Sequence, residues 1–328
     1  MGKSAHKKRN IYLAILLVTQ LGVLALVLRP ARHESVDLGP LLKGFEVEQL
    51  TGLTITDGAE QGIGLEKRQG EWVIVPAAGE AAALPADGDK LQALLTKLAA
   101  LTRERLVTRT ASSHNRLKVG SLFERQLVLT QGTASTTLLL GSAPNYKTIH
   151  VRLADEDEVY IGRDLSPWEA PVEKESWWRT AYLNFAPADL QGVELANAKG
   201  TIKLGKDAAG QWLLDGLAPD RELAPEALQL FLEDVSRLSV LGYEAADYTP
   251  ADAKPVARLR LTTAKAEITL EVGPKDADKG EHVVKASNSP FYATASGFEV
   301  KELLERASED LVQVKGQTLG AGGVEQPE

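Results

Sequence analysis

Five histidines, a four-residue acidic run and a set of glycines are the residues of this sequence whose types could do chemistry, and their spacing argues against most of it. His6, His33, His114, His150 and His282 are scattered, with no pair one helical turn apart, so they do not supply the convergent imidazoles of a metal site. Asp155, Glu156, Asp157 and Glu158 lack the glycine and distal glutamate of a calcium-binding loop and read as a solvated turn between strands. Gly62 and Gly64 have neither the third glycine nor the following helix of a dinucleotide cradle. No serine stands in a strained-turn motif beside a base and an orienting acid. Cysteine is absent, which excludes disulfides, thiol catalysis and thiolate metal ligands. The expectation is a protein that is not an enzyme and carries neither cofactor nor metal.

Residues suited to recognition are easier to name. Three of the five tryptophans, Trp168, Trp177 and Trp178, fall with Arg179 in a single stretch, residues 166–185. Exposed, such rings would form a protein-binding patch, because tryptophan is enriched at interface hot spots; buried, they would fix the angle between two flanking domains. His150 and His282 occupy aligned positions in an internal repeat described below. They are either half-buried strand residues inherited by duplication or a ligand-binding pair between the repeats.

The elements that must position these residues come twice. Leu127, Leu129, Thr130, Thr137, Leu138 and Gly141 recur at one constant offset as Leu259, Leu261, Thr262, Thr269, Leu270 and Gly273, and without a gap His150, Val151 and Tyr160 then fall on His282, Val283 and Tyr292. Upstream, Gly70 and Trp72 match Gly210 and Trp212, and Leu91, Leu94, Leu95, Leu98 and Leu101 match Leu228, Phe231, Leu232, Val235 and Leu238. The leucines recur at helical spacing after Asp87 and predict an amphipathic helix of about 17 residues. Short alternating runs on either side predict strands joined by tight turns, hence mostly antiparallel sheet. The predicted class is α+β: an N-terminal single transmembrane helix, then two tandem repeats, each a mostly antiparallel sheet backed by one long amphipathic helix.

The predicted membrane helix is residues 11–28, an uncharged run that would rise about 27 Å at roughly 1.5 Å per residue, close to a bilayer core of about 30 Å. Arg29, Pro30, Ala31 and Arg32 do not form a small-residue cleavage site, so the run reads as an uncleaved anchor in the lipid bilayer. Lys3, Lys7, Lys8 and Arg9 favour a cytoplasmic N-terminus and a body in the periplasm, at the bacterial inner membrane. Within the run, Thr19, Gln20 and Gly22 offer a small and polar face to another membrane helix. The formal net charge of the chain is -8, although residues 1–32 carry six basic residues and no carboxylate, so the body is more acidic than the total. Such a surface repels phosphate backbones, and nucleic acid is not an expected partner.

The expected divisions are a basic tail (1–10), the anchor (11–28), a spacer (29–44), a first repeat (45–165), the tryptophan connector (166–185), a second repeat (186–312) and a disordered tail (313–328). The anchor, the strand with Trp72, the leucine helix after Asp87, the hairpin ending at Leu140 and Gly141, and Trp177, Trp178 and Arg179 ahead of Leu183 together resemble the domain of unknown function 4340 family of bacterial membrane-anchored proteins. That resemblance covers nearly the whole chain and implies company: partners similar to gliding-motility-type ABC transporters, with permease and ATPase subunits. It brings no catalytic residues. The function it implies is that of a non-enzymatic extracytoplasmic accessory subunit. The alternative is a periplasmic sensor holding a small molecule or glycan between the repeats.

Overall fold

Buried and exposed residues alternate along most of the chain, and these stretches form sheet. The computed structural model describes residues 19–20, 39–76, 82–245, 247–250 and 254–316. The first sheet contains β1 (Gly52–Asp57), β2 (Gly62–Arg68), β3 (Glu71–Ile74), β4 (Leu84–Pro85), β5 (Leu106–Thr108), β6 (Arg125–Gln131), β7 (Ala134–Leu140), β8 (Thr148–Leu153) and β9 (Val159–Arg163). Their order across the sheet is β4-β3-β2-β1-β6-β7-β8-β9-β5. After β10 (Ala181–Asn184), the second unit adds β11 (Leu190–Asn197), β12 (Gly200–Lys206), β13 (Trp212–Leu214), β14 (Arg221–Leu223), β15 (Arg237–Ser239), β16 (Gly242–Tyr243), β17 (Ala257–Thr263), β18 (Glu267–Lys275), β19 (Glu281–Ala286), β20 (Ala293–Ser296) and β21 (Val312–Val314). Its main sheet runs β13-β12-β11-β17-β18-β19-β20-β16, while β10 pairs with β15 and β14 with β21. Every pairing of these strands is antiparallel.

The predicted architecture of helix-backed repeats behind a transmembrane helix needs correction. Sheet dominates, and the described residues hold three short α-helices, Gly88–Ala99, Pro225–Ser236 and Lys301–Glu305. None is long and apolar enough to cross a membrane. Of the expected anchor, only Thr19 and Gln20 lie among the described residues, both helical and exposed; the rest of 11–28, Gly22 included, lies outside them. The helices are shorter than their leucine spacing suggests because the last apolar residue of each stripe belongs to the next segment. Leu101 is 2% exposed, but the chain has already turned there: Leu101 N–H donates to Leu98 O at 3.2 Å and Leu41 N–H to Leu101 O at 2.8 Å. Leu238 lies in β15, since Arg237 is already extended at φ -130°, ψ 143°. Asp87 caps the first helix, its carboxylate accepting from Lys90 N–H at 3.0 Å, and Pro225 opens the second at a position where no N–H is needed.

Each sheet buries its own core. Leu53, Ile55, Leu65, Leu127, Leu129, Leu138, Leu140, Ile149 and Val151 pack with Leu91, Leu94, Leu95 and Leu98 in the first. Val193, Leu195, Ile202, Leu204, Leu259, Leu261, Leu270, Val272 and Val284 pack with Phe231, Leu232 and Val235 in the second. A third, small cluster of Leu117, Val119, Leu139 and Val159, with Phe123 against it, covers the opposite face of the first sheet. That face is where the two units differ most.

Candidate functional site

The tryptophan connector divides by burial. Trp177 is 0% exposed within the first core, its indole N–H donating to Pro171 O at 2.8 Å and its ring lying 5.3 Å from the Lys90 ammonium. Trp178 forms the seam between the units. It bridges to Ala86 and meets Tyr243 edge-on at 6.4 Å, and Gly242 has no side chain because a Cβ there would lie 2.8 Å from the indole. Tyr243 continues the seam to Tyr182 (6.2 Å) and Phe291 (6.0 Å), and its hydroxyl donates to Arg179 O at 2.7 Å. Burial pushes the Tyr243 phenol up to about 12, so it remains a neutral donor. The Arg179 side chain pairs with Glu71 across the same seam. Trp168 behaves oppositely. It is 83% exposed on the short turn Pro167–Glu169, where Ser166 N–H donates to Glu169 Oε2 at 3.0 Å, Glu169 also pairs with Lys97, and Arg125 Nε–H donates to Ala170 O at 2.8 Å. A large ring is thus held in solvent on a fixed turn.

On the outer face of the first sheet, residues 114–123 lie as a plug. Ser142 N–H donates to Leu117 O at 2.9 Å, and Arg152, 9% exposed, donates from Nε to Val119 O at 2.6 Å and from Nη1 to Leu153, Ala154 and Glu156 carbonyls. His114 reaches Asp157 O at 2.9 Å. The acidic turn is therefore occupied by this chain's own groups, with the Arg103 guanidinium on Glu156 at 2.6 Å. Gly141 allows the plug to approach: a Cβ there would lie 2.2 Å from Leu117 O.

On the corresponding face of the second sheet there is an open cavity of about 420 Å³. Its walls include Glu271, Gly273, Lys285, Tyr292 and Thr294 from the sheet and Glu244, Tyr248, Pro250 and Pro255 from the segment before β17. Thr294 Oγ1–H donates to Glu244 at 2.6 Å, Tyr248 meets Tyr292 edge-on at 5.4 Å, and the Lys285 ammonium lies 5.3 Å over the Tyr292 ring while donating to Ser289 O. Burial lowers the Lys285 ammonium below its usual range and raises the Tyr248 phenol. Volume and mixed lining suit a specific ligand or a peptide side chain. Sequence reasoning missed these residues; the one signal available was a Leu139-like position occupied by Glu271 in the second copy.

The two histidines are not equivalent in the structure. Leu138 pairs with Leu153 and Leu140 with Val151 in the first sheet, where Leu270 pairs with Ala286 and Val272 with Val284 in the second. The chain from Val272 to its partner Val284 is one residue longer than that from Leu140 to its partner Val151, which shifts the second copy by one residue. His150 therefore corresponds to Val283 and His282 to Ile149, and a one-residue shift places them on opposite faces. His282 Nδ1 lies 2.9 Å from Gly273 O and forms part of the cavity wall; His150 Nδ1 lies 3.1 Å from Ser142 Oγ beneath the plug. The aromatic seam, and no cavity between paired histidines, occupies the contact between units among the described residues.

Desolvation, reinforced by Arg116 and opposed by Ser142, lowers His150 below its ordinary value of 6.5. Folding thus favours neutral imidazole, while the unfolded chain takes up a proton as pH falls through about 6.5. The stability His150 contributes is present above that pH and is lost as pH falls toward the folded value. Urea midpoints measured from pH 7.5 to 5 should decline for the wild type and decline less for His150→Gln; equal slopes would show that this ring is not responsible.

Two antiparallel sheets of closely matching strand order, joined by an aromatic seam, define a duplicated β-rich scaffold. The chain belongs to the family described as Domain of unknown function (DUF4340), whose model matches residues 72–263, from β3 across the connector to β17. No curated protein and no solved structure matches the chain.

Proposed function

We propose that this chain is a non-enzymatic accessory subunit that binds the extracytoplasmic part of a gliding-motility-like ABC transporter, its permease and ATPase subunits forming the complex it joins. The observation that carries the reading is Trp168, 83% exposed on a turn pinned by Ser166, Lys97 and Arg125, since a preordered aromatic ring loses little entropy when a partner covers it. Trp178 and Arg179 are engaged in the seam and Trp177 in the first core, which leaves Trp168 as the exposed ring of the connector. Placement at the bacterial inner membrane with the body in the periplasm rests on the sequence of residues 1–32 alone. The sensor reading, with a ligand between the repeats, has the filled seam against it.

The test is retention of permease and ATPase by the full chain in mild detergent, compared with Trp168→Ala. Loss of a hot-spot ring is expected to cost about 2 kcal/mol or more, roughly 30-fold in affinity, with stability unchanged within about 0.5 kcal/mol because the ring is mostly in solvent. Recovery of neither subunit with the wild-type chain would refute the reading.

A further inference from the structure

We infer that the outer face of the first sheet carries a docking site for an extended acidic segment of a partner protein, built from Arg105, Arg116 and Arg163. Residues 103–163 hold seven arginines, and four are engaged by this chain's own oxygens: Arg103 with Glu156, Arg109 with Glu158, and Arg125 and Arg152 with main-chain carbonyls. Arg105, Arg116 and Arg163 are exposed, and among the described residues their side chains form no hydrogen bond or ion pair. Glu104 and Asp164, neighbours of two of them in the chain, do not pair with them.

The register brings the three together. Gly162 faces the core, where a Cβ would lie 2.9 Å from Leu101, so Ile161 and Arg163 on either side of it face outward. His150 lies opposite Ile161, and Ile161 N–H donates to Arg105 O at 3.0 Å, which sets Arg105 beside Ile161 on the same face. Arg116 belongs to the plug. Burial and, beyond it, the Arg116 charge lower the His150 imidazole, so this cation acts on the same row of the sheet. A half-buried isoleucine is thus framed by three free guanidinium groups, on a chain whose formal net charge is -8.

Free guanidinium forks call for carboxylates, which they hold by paired hydrogen bonds. Alternate residues of a strand lie about 6.6 Å apart and neighbouring strands about 4.8 Å, so Arg105 and Arg163 are spaced for carboxylates on alternate residues of an extended segment lying over Ile161. The plug rises from the sheet beside them and carries Arg116, so the cations line a step. An extended segment lies along a step, whereas a planar bilayer would meet the plug first.

This inference goes beyond the transporter reading and does not use Trp168. The experiment titrates a labelled twelve-residue peptide of alternating glutamate and threonine with the full chain by fluorescence anisotropy, beside a peptide of alternating lysine and threonine and beside phosphatidylglycerol vesicles. Binding of the acidic peptide alone is expected, weakening as salt is raised. Arg105→Ala and Arg163→Ala should weaken it about fivefold each and more than about tenfold together, as for charge pairs at the rim of an interface. Arg237→Ala, which removes an exposed arginine of the second unit, and Trp168→Ala should leave it unchanged. No binding, or binding as sensitive to Arg237→Ala as to Arg105→Ala and Arg163→Ala, overturns the site. Binding of the vesicles without the peptide would make the face a lipid contact, and a dimer of the chain that Arg163→Ala dissolves would seat a second copy there; each overturns the acidic-segment reading. Thermal melts confirm folding, and Arg105→Gln and Arg163→Gln decide the matter if an alanine variant fails to fold.

Discussion

Trp177→Ala is expected to lower the unfolding free energy of the first unit by about 3–5 kcal/mol, the range for removing a large aromatic side chain from a packed core. The ring is 0% exposed, donates to Pro171 O, carries the Lys90 ammonium on its face and belongs to the same cluster as Leu91 and Leu95. Its backbone carbonyl also accepts from Asp87 N–H at 2.7 Å, so the residue ties the connector to the cap of the first helix. Trp177→Phe keeps most of the volume but leaves the Pro171 carbonyl without its donor, and should cost about 1–3 kcal/mol. Urea unfolding followed by near-ultraviolet circular dichroism measures both. A loss below about 1 kcal/mol for the alanine variant would mean that the connector is not part of the first core.

The second large effect contrasts two glycines. Gly141→Ala places a methyl group 2.2 Å from a main-chain oxygen, which no rotamer change relieves, so residues 117–119 must lift away. Lifting them exposes Leu117 and Val119, each worth about 1.5–3 kcal/mol when fully buried, and releases the carbonyl held by Arg152. The expected cost is about 3 kcal/mol or more, together with faster hydrogen exchange at Ser142 N–H, whose acceptor is Leu117 O. Gly273→Ala meets only Val283 O at 3.1 Å and should cost about 1 kcal/mol or less. Equal costs at the two positions would mean that the second sheet's outer face is as closely covered as the first.

The internal repetition made parts of the molecule legible. Hydrophobic alternation located hairpin strands such as β17, where Leu259 and Leu261 face the core on either side of exposed Arg260. Helical spacing found the buried stripe of Leu91, Leu94, Leu95 and Leu98 but ran past its end, because Leu101 and Leu238 continue the period while belonging to a loop and a strand. The expected dominance of a long helix in each repeat failed for that reason. The histidine pairing failed for another: the connection between Val272 and Val284 carries one more residue than that between Leu140 and Val151, which a gapless comparison of letters cannot register and hydrogen-bond register can. The cavity was invisible because its walls come from stretches apart in sequence, Glu244 and Tyr248 before β17 and Glu271, Lys285 and Tyr292 after it, a property of packing and not of any motif. Among the tryptophans, three-dimensional context assigned the roles, since nothing in the letters distinguishes exposed Trp168 from buried Trp177.

The pairing of β14 with β21 sets a timetable for assembly. In the first unit the strand preceding the helix, β4, adds to the edge of its own sheet through Val73 and Ile74, and its latest partner is the connector just beyond that sheet, where Arg179 N–H donates to Pro85 O at 2.9 Å. In the second, Arg221 pairs with Val314 and Leu223 with Val312, and Ala224 N–H donates to Leu311 O at 2.9 Å at the threshold of the helix Pro225–Ser236. A ribosome delivering the chain from its N-terminus thus completes the first unit when residues 177–179 emerge, while the second must wait, helix entrance open, until residues 311–314 do.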